Sequence, residues 1–175
     1  RHPNLVQLLG GSWTLEDVNV CAVFELCERG TLTHVLKAGE TLSWAKHKLQ
    51  MASGVARAMA HLHGQQPPII HRDLKPDNVL IDDGWQAKVA DLGCSREADL
   101  ENTMEVAGTP IFMAPELLRR ERYDEKVDVW SFACVLECLW THRQVFEAVL
   151  LARERETDHA ENVLRLIEND RLRPK

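Results

Sequence analysis

Three short motifs in a fixed order constrain this chain more than any other feature. His71-Arg72-Asp73-Leu74-Lys75-Pro76-Asp77-Asn78 comes first, Asp91-Leu92-Gly93 begins thirteen residues after Asn78, and Ala114-Pro115-Glu116 closes the set. Two β-prone triplets, Val79-Leu80-Ile81 and Ala87-Lys88-Val89, lie between the first two motifs, separated by the hairpin signal Asp82-Asp83-Gly84. The predicted layout is loop, hairpin, loop, which brings Asn78 and Asp91 together from two different segments. Asp73 taken alone reads as a turn aspartate; three ordered motifs are far more specific than one match.

The rest of the chain supplies a frame. Leu5 to Leu9 reads as a strand ending at Gly10-Gly11, and Val18 to Leu26 as a second, broken by Glu28-Arg29-Gly30. Thr31 to Lys37 predicts a short helix. Ser43 is a good N-cap for a long one, Trp44 to His63, with an apolar stripe through Ala45, Leu49, Ala52, Ala56, Met59 and His63. Gly64 ends it and Pro67-Pro68 forbids continuation. Asp91 to Met113 has no period and predicts a long loop, of the kind that is functional or mobile in compact domains. Val127 to Trp140 is apolar on nearly every side, as in a helix buried all round, and Ala160 to Glu168 predicts a last amphipathic helix. The expected class is α+β, with a few strands in the first half and a helical second half.

Composition excludes several classes. With 175 residues, 45% hydrophobic and 27% charged, the chain suits one ordinary globular domain rather than a disordered or collagenous one. A net charge of −6 without a basic stripe argues against nucleic acid and anionic membranes as partners. Cys21, Cys27, Cys94, Cys134 and Cys138 form no C-x-x-C pair, so neither zinc nor a disulfide scaffold is expected. Cys134 and Cys138, four apart on one helix face, read as small core residues. The most apolar stretch, Phe132 to Trp140, is too short to span a bilayer.

With its motifs in register, the sequence resembles the eukaryotic protein kinase family from Arg1 to Lys175, matching H-R-D-L-x-x-x-N in full. His2-Pro3-Asn4-Leu5-Val6 is similar to the segment after the family's αC helix. Asp128-Val129-Trp130-Ser131-Phe132 is similar to its buried αF helix. The resemblance implies a protein-kinase-like fold, mostly the helical C-lobe with the last N-lobe strands and hinge, incomplete at both ends. It divides residues 1–24, 25–30 and 31–175 into N-lobe remnant, hinge and C-lobe. It implies ATP and Mg²⁺ as cofactors and a protein as substrate. Asp73 would orient or accept the proton of the substrate hydroxyl, and Lys75 would reach the γ-phosphate. Asn78 and Asp91 would offer hard oxygens to magnesium. Backbone groups of Glu25 and Cys27 would bond adenine over Leu80, with Phe24 as gatekeeper. Asp128 would accept N–H bonds from the His71-Arg72 turn, and Glu116 would pair with an arginine beyond Lys175.

Lys75 and Gly108-Thr109 resemble the serine/threonine pattern, with Thr109 bonding Asp73 and Lys75, and the run 108–116 is most similar to the tyrosine-kinase-like group. Arg72 would receive an activation-loop phosphate, and Glu105 would mimic one, with Thr103 as a second control site. Leu92 replaces the commoner Phe and is expected to remain an apolar plug. Ala133, His142 and Val145 also depart from the usual residues. The nine glycines include no Gly-x-Gly phosphate cover, and the strand lysine with its αC glutamate is likewise missing. The 175 residues alone are therefore expected to have little activity. A pseudokinase-like scaffold is the competing reading, and Asp73, Lys75, Asn78 and Asp91 together weigh against it. The implied setting is cytoplasmic, or the cytosolic side of a membrane receptor.

Overall fold

A computed structural model describes residues 1–13, 20–39, 41–97, 108–147, 159–169 and 171–174. Strands β1 (Leu8–Trp13) and β2 (Val20–Phe24) pair antiparallel. The first begins later than the sequence suggests and runs through Gly10-Gly11 instead of stopping there. A Cβ on Gly11 would lie 3.3 Å from the Cys21 carbonyl oxygen, so the glycine serves close strand approach. Gly10 follows a register shift after Leu8, where glycine accommodates an irregular ladder.

Helix α1 (Leu32–Lys37) is capped by Thr31, whose hydroxyl accepts the His34 N–H. Helix α2 opens with a π turn, Trp44–Lys48, and continues as Leu49–His63. Ser43 caps it as expected, accepting from Lys46 N at 3.1 Å. The expected stripe is out of phase with the buried face. Lys48 N bonds Ser43 O, five residues back, so the wider turn offsets only Trp44–Lys48 from the regular helix that follows. Met51, Ala52, Val55, Ala58, Met59 and Leu62 are the buried residues, while Ala45, Leu49 and Ala56 face solvent.

The predicted hairpin forms from β4 (Val79–Ile81) and β5 (Ala87–Val89), in register Val79↔Val89. Its outer edges are occupied. Val6 N donates to Val89 O and Val89 N to Asn4 O on one side. Arg29 N donates to Ile81 O and Ile81 N to Gly30 O on the other. The long predicted loop contains a short strand, β6 (Arg96–Glu97), pairing with β3 (Ile69–Ile70). Two-residue strands are too short to show a period, so neither was visible in the sequence.

Short α3 (Pro115–Leu118) leads to α4 (Lys126–Thr141), and α5 (His159–Glu168) buries Val163 and Ile167 one turn apart. Helix α4 is not buried all round: Val129 and Trp140 are 59% and 70% exposed. Its packed face lies against α2 and the 110–112 turn, and Trp140 meets Trp44 edge-on, at 5.4 Å. Cys134 and Cys138 are core residues as expected, and none of the five cysteines is in a disulfide. Among the described residues, no helix is long and apolar enough to cross a membrane.

Candidate active site

The polar 71–78 segment stays ordered inside the core because α4 supplies a buried acceptor. Asp128 Oδ2 takes the His71 N–H at 2.8 Å, and its Oδ1 takes the Arg72 N–H at 2.9 Å. A lone carboxylate on an apolar helix is expensive unless its oxygens are satisfied, and here they are. His63, at the end of α2, adds a contact from Nε2 to Asp128 Oδ2 at 2.8 Å. Sequence reasoning missed this residue, counting it only as part of the stripe. Its place just before the helix-ending Gly64, ahead of the first motif, was the available signal. Arg72 adopts φ 68°, and its Nε donates to Cys94 O at 2.6 Å. This ties the first motif to the segment after the second.

With the backbone so fixed, Asp73, Lys75, Asn78 and Thr109 meet. Asp73 Oδ1 accepts both the Thr109 N–H and the Thr109 hydroxyl, each at 2.8 Å. Its Oδ2 accepts Lys75 Nζ at 2.8 Å and Asn78 Nδ2 at 2.9 Å. Lys75 Nζ also donates to Thr109 Oγ1 at 2.6 Å, closing a triangle. Burial alone would raise the Asp73 pKa. The hydrogen bonds from Lys75 and Thr109 and the nearby ammonium outweigh it and hold the carboxyl below its ordinary range. Gly108 permits the approach of Thr109. Its φ is +117°, and a Cβ there would run into the Arg72 carbonyl oxygen.

Asn78 and Asp91 have the oxygens a hard cation needs. Asn78 Nδ2 donates to both the Asp73 carbonyl and carboxylate, which turns its amide group and leaves Oδ1 as its acceptor. Asp91 is exposed at φ 59°, with Oδ1 accepting Gly93 N at 3.2 Å. Among the described residues no cluster of three His, Cys, Asp or Glu forms a metal cage. An amide and a carboxylate with other positions open suit Mg²⁺, which retains waters and binds substrate phosphates.

The remaining expected residues lie on β2, the segment after it, β4 and the turn after Asp91. Glu25 is anchored by Lys88 Nζ at 2.9 Å and by Gln7 N at 2.8 Å. Burial opposes ionisation of Glu25, but these bonds lower its pKa overall, and the Glu25 bond raises that of Lys88. Cys27 is buried and its thiol pKa is raised, first by desolvation. Leu80 is half-buried on β4 and bridges to Thr31. Phe24 is exposed. Leu92 is not a buried plug: it is 46% exposed and lines a cleft of about 430 Å³ with Val6, Leu8, Glu25 and Lys88. Its short 3-10 turn after Asp91 points it out of the core. Glu105 and Thr103 lie outside the described residues.

Comparison with known proteins decides the family. The profile of the protein kinase domain matches residues 1–174.

The chain belongs to the protein kinase family.

Its fold is accordingly the α+β kinase fold. Over 140 residues it is 42% identical to the Dictyostelium discoideum protein named "Probable serine/threonine-protein kinase drkB", covering 79% of this chain and 20% of that protein. It is 42% identical over 149 residues to serine/threonine-protein kinase CTR1 of Arabidopsis thaliana, covering 82% and 18%. A protein of Acanthamoeba polyphaga mimivirus named as a serine/threonine-protein kinase/receptor, R826, is 39% identical over 147 residues, covering 83% and 9%. The chain thus spans a fifth or less of the length of these relatives. Membership in this kinase family implies ATP as a substrate and a divalent metal.

Proposed function

We propose that this chain carries the reaction centre of a serine/threonine protein kinase, which transfers the γ-phosphoryl group of ATP to serine or threonine hydroxyls of a protein. The carrying observation is the closed Asp73–Lys75–Thr109 triangle beside Asn78. Phosphoryl transfer passes through a loose transition state, so positioning and charge neutralisation supply most of the catalysis. An Asp73 held ionised is a weak base, so its main work is to accept and aim the hydrogen bond of the incoming hydroxyl. Its oxygens are fixed from two sides, by Thr109 on Oδ1 and by Lys75 and Asn78 on Oδ2. Lys75 places an ammonium at the same spot, where it neutralises charge on the transferring group.

Asn78 and Asp91 would hold Mg²⁺, which on binding would neutralise charge on the phosphate oxygens. Backbone groups of Glu25 and Cys27, with Leu80 below, form the proposed adenine contact; the Glu25 anchoring to Lys88 and Gln7 supports this by holding that segment still. The Lys75 and Thr109 pairing supports serine/threonine over tyrosine acceptors, within the tyrosine-kinase-like group. The proposed setting is the cytoplasm or the cytosolic face of a receptor, where ATP is abundant and thiols stay reduced.

The test uses the full-length protein, γ-labelled ATP and a mixed protein substrate, followed by phosphoamino-acid analysis. Phosphoserine and phosphothreonine are expected, with Asp73→Asn slowing transfer by about a hundredfold or more. Absence of ATP-dependent labelling by the wild type, or an Asp73→Asn rate equal to wild type, would overturn the reading.

A further inference from the structure

The turn joining β4 to β5 does more than reverse the chain. Four kinds of contact tie it to residues 28–30. Backbone bonds link Arg29 N to Ile81 O at 3.1 Å and Ile81 N to Gly30 O at 2.8 Å. The Asp83 N–H donates to Glu28 Oε2 at 3.2 Å. Arg29 Nε and Nη2 both donate to Asp83 O, each at 3.3 Å. The Arg29 guanidinium also lies 3.8 Å from the centroid of the Trp85 ring, well within cation–π range.

Trp85 continues the chain of contacts into α2. Its ring meets that of His47 at 4.7 Å, and Gln50 Nε2 donates to Gly84 O at 3.0 Å. His47 Nδ1 accepts the Ser43 N–H, which holds the ring at the helix start. Trp85 sits at φ 64°, a left-handed conformation uncommon for a bulky aromatic. A turn built for reversal alone has no need of a large ring there; a ring in contact with both an arginine and a histidine does.

We propose that Arg29, Trp85 and His47 form a contact clamp that fixes residues 28–30 against the hairpin carrying Leu80, and so tunes the affinity for the adenine of ATP. Arg29 and Trp85 are positioning residues, acting through the backbone of the segment that carries Glu25 and Cys27. This rests on the kinase reading of that segment. The physical reasoning is short. Leu80 and the 82–85 turn belong to one hairpin, so a tie between the turn and Arg29 fixes how residues 28–30 sit against Leu80. Loss of the tie lets residues 25–30 move while Asp73, Lys75 and Thr109, held by Asp128 and Gly108, keep their places.

Steady-state kinetics of the full-length protein test this. Trp85→Ala and Arg29→Gln are each expected to raise the KM for ATP by about tenfold while kcat changes by less than about twofold. The double variant should be no worse than Arg29→Gln alone, because that change already removes the Arg29–Trp85 contact together with the Asp83 bonds. Trp85→Phe, which keeps an aromatic face, should restore the wild-type KM. A merely structural role would instead lower the melting temperature and leave the KM for ATP alone. Unchanged KM values in an active wild-type background, or additive effects in the double variant, would overturn the clamp. A wild type that neither transfers phosphate nor binds ATP would overturn the kinase reading beneath it. Arg29 is only half-buried, so its variant provides the measurement should Trp85→Ala fail to fold.

Discussion

Asp128→Asn should loosen the reaction centre from a distance. The side chain is 1% exposed, and its carboxylate receives three donors, from His71 N, Arg72 N and His63 Nε2. An isosteric amide keeps one accepting oxygen and turns an NH₂ toward the other donor site. If the oxygen stays where His71 and His63 converge, the Arg72 N–H is left facing a donor, at a cost of about 1–3 kcal/mol. The two surviving bonds lose charge assistance, roughly 1 kcal/mol each, and relief from burying a charge offsets part of the sum. The net loss is about 2–4 kcal/mol, concentrated on the turn that carries Asp73. Hydrogen exchange read by mass spectrometry over residues 69–74 measures it, since each 1.4 kcal/mol of local stability is about a tenfold change in protection. Exchange should quicken by about thirtyfold or more, with a parallel fall in phosphoryl transfer. Ser131→Ala is the control. It removes a buried hydroxyl one turn away that bonds Phe112 O and Val127 O, and should leave residues 69–74 unchanged. Wild-type protection at residues 71 and 72 in Asp128→Asn would refute the argument, whatever happened to activity.

Gly108→Ala should lower kcat by about tenfold or more, because a Cβ at φ +117° collides with the Arg72 carbonyl and moves Thr109 off Asp73; a wild-type kcat would count against that packing. Thr109→Ala removes the hydroxyl that helps hold the Asp73 carboxyl below its ordinary range. A depressed carboxylate stabilises the fold above its unfolded pKa and loses that contribution as pH falls through the folded one, so raising the folded pKa moves both acid limbs to higher pH. A pH–rate profile and acid denaturation check the direction, and an acid limb that stays put refutes it. Cys134 and Cys138 should resist iodoacetamide at pH 8 while Cys21 reacts, because burial pushes the Cys138 thiol up to about 11 and Cys134 higher still, whereas Cys21 is exposed. Mass-spectrometric mapping of alkylated cysteines in the native protein decides it.

What the sequence made legible was local chemistry at fixed spacing. The Asp73, Lys75 and Asn78 motif and the 82–84 turn follow from residues a few positions apart, whereas the Thr109 contacts and the Asp128 acceptor came from the resemblance to the kinase family. The helix phase of α2 was not legible, because Leu49, Ala56 and His63 recur at the same spacing as the buried Met51, Val55, Ala58 and Leu62. Alanines on its exposed side also resembled a stripe, since alanine reports helix propensity as much as burial. The β3–β6 pair was invisible for lack of length, and the exposure of Val129 and Trp140 depended on what packs where, which no period encodes. His63 and Trp85 were missed for a different reason: their partners are distant in sequence, and each looks ordinary alone.

The geometry around Asp73 also implies where the proposed reaction centre should be sensitive. Two donors reach each of its oxygens, and the net effect is a carboxyl held below its usual range. Such a group gains little as a base from any modest change in pKa, because it is already fully ionised at neutral pH. Acid strength is therefore a weak lever on the rate, and position a strong one. Position, in turn, is set from outside the cluster by Asp128, through the 71–72 backbone. Asp128→Asn should lower kcat across the whole neutral range without bending the pH profile. Substitutions at Thr109 or Lys75, which bond the carboxylate itself, and Gly108→Ala, which displaces Thr109 from it, should lower kcat and move the acid limb together. A pH profile taken on both sets separates the two roles, and a shifted acid limb in Asp128→Asn would show that the division is wrong.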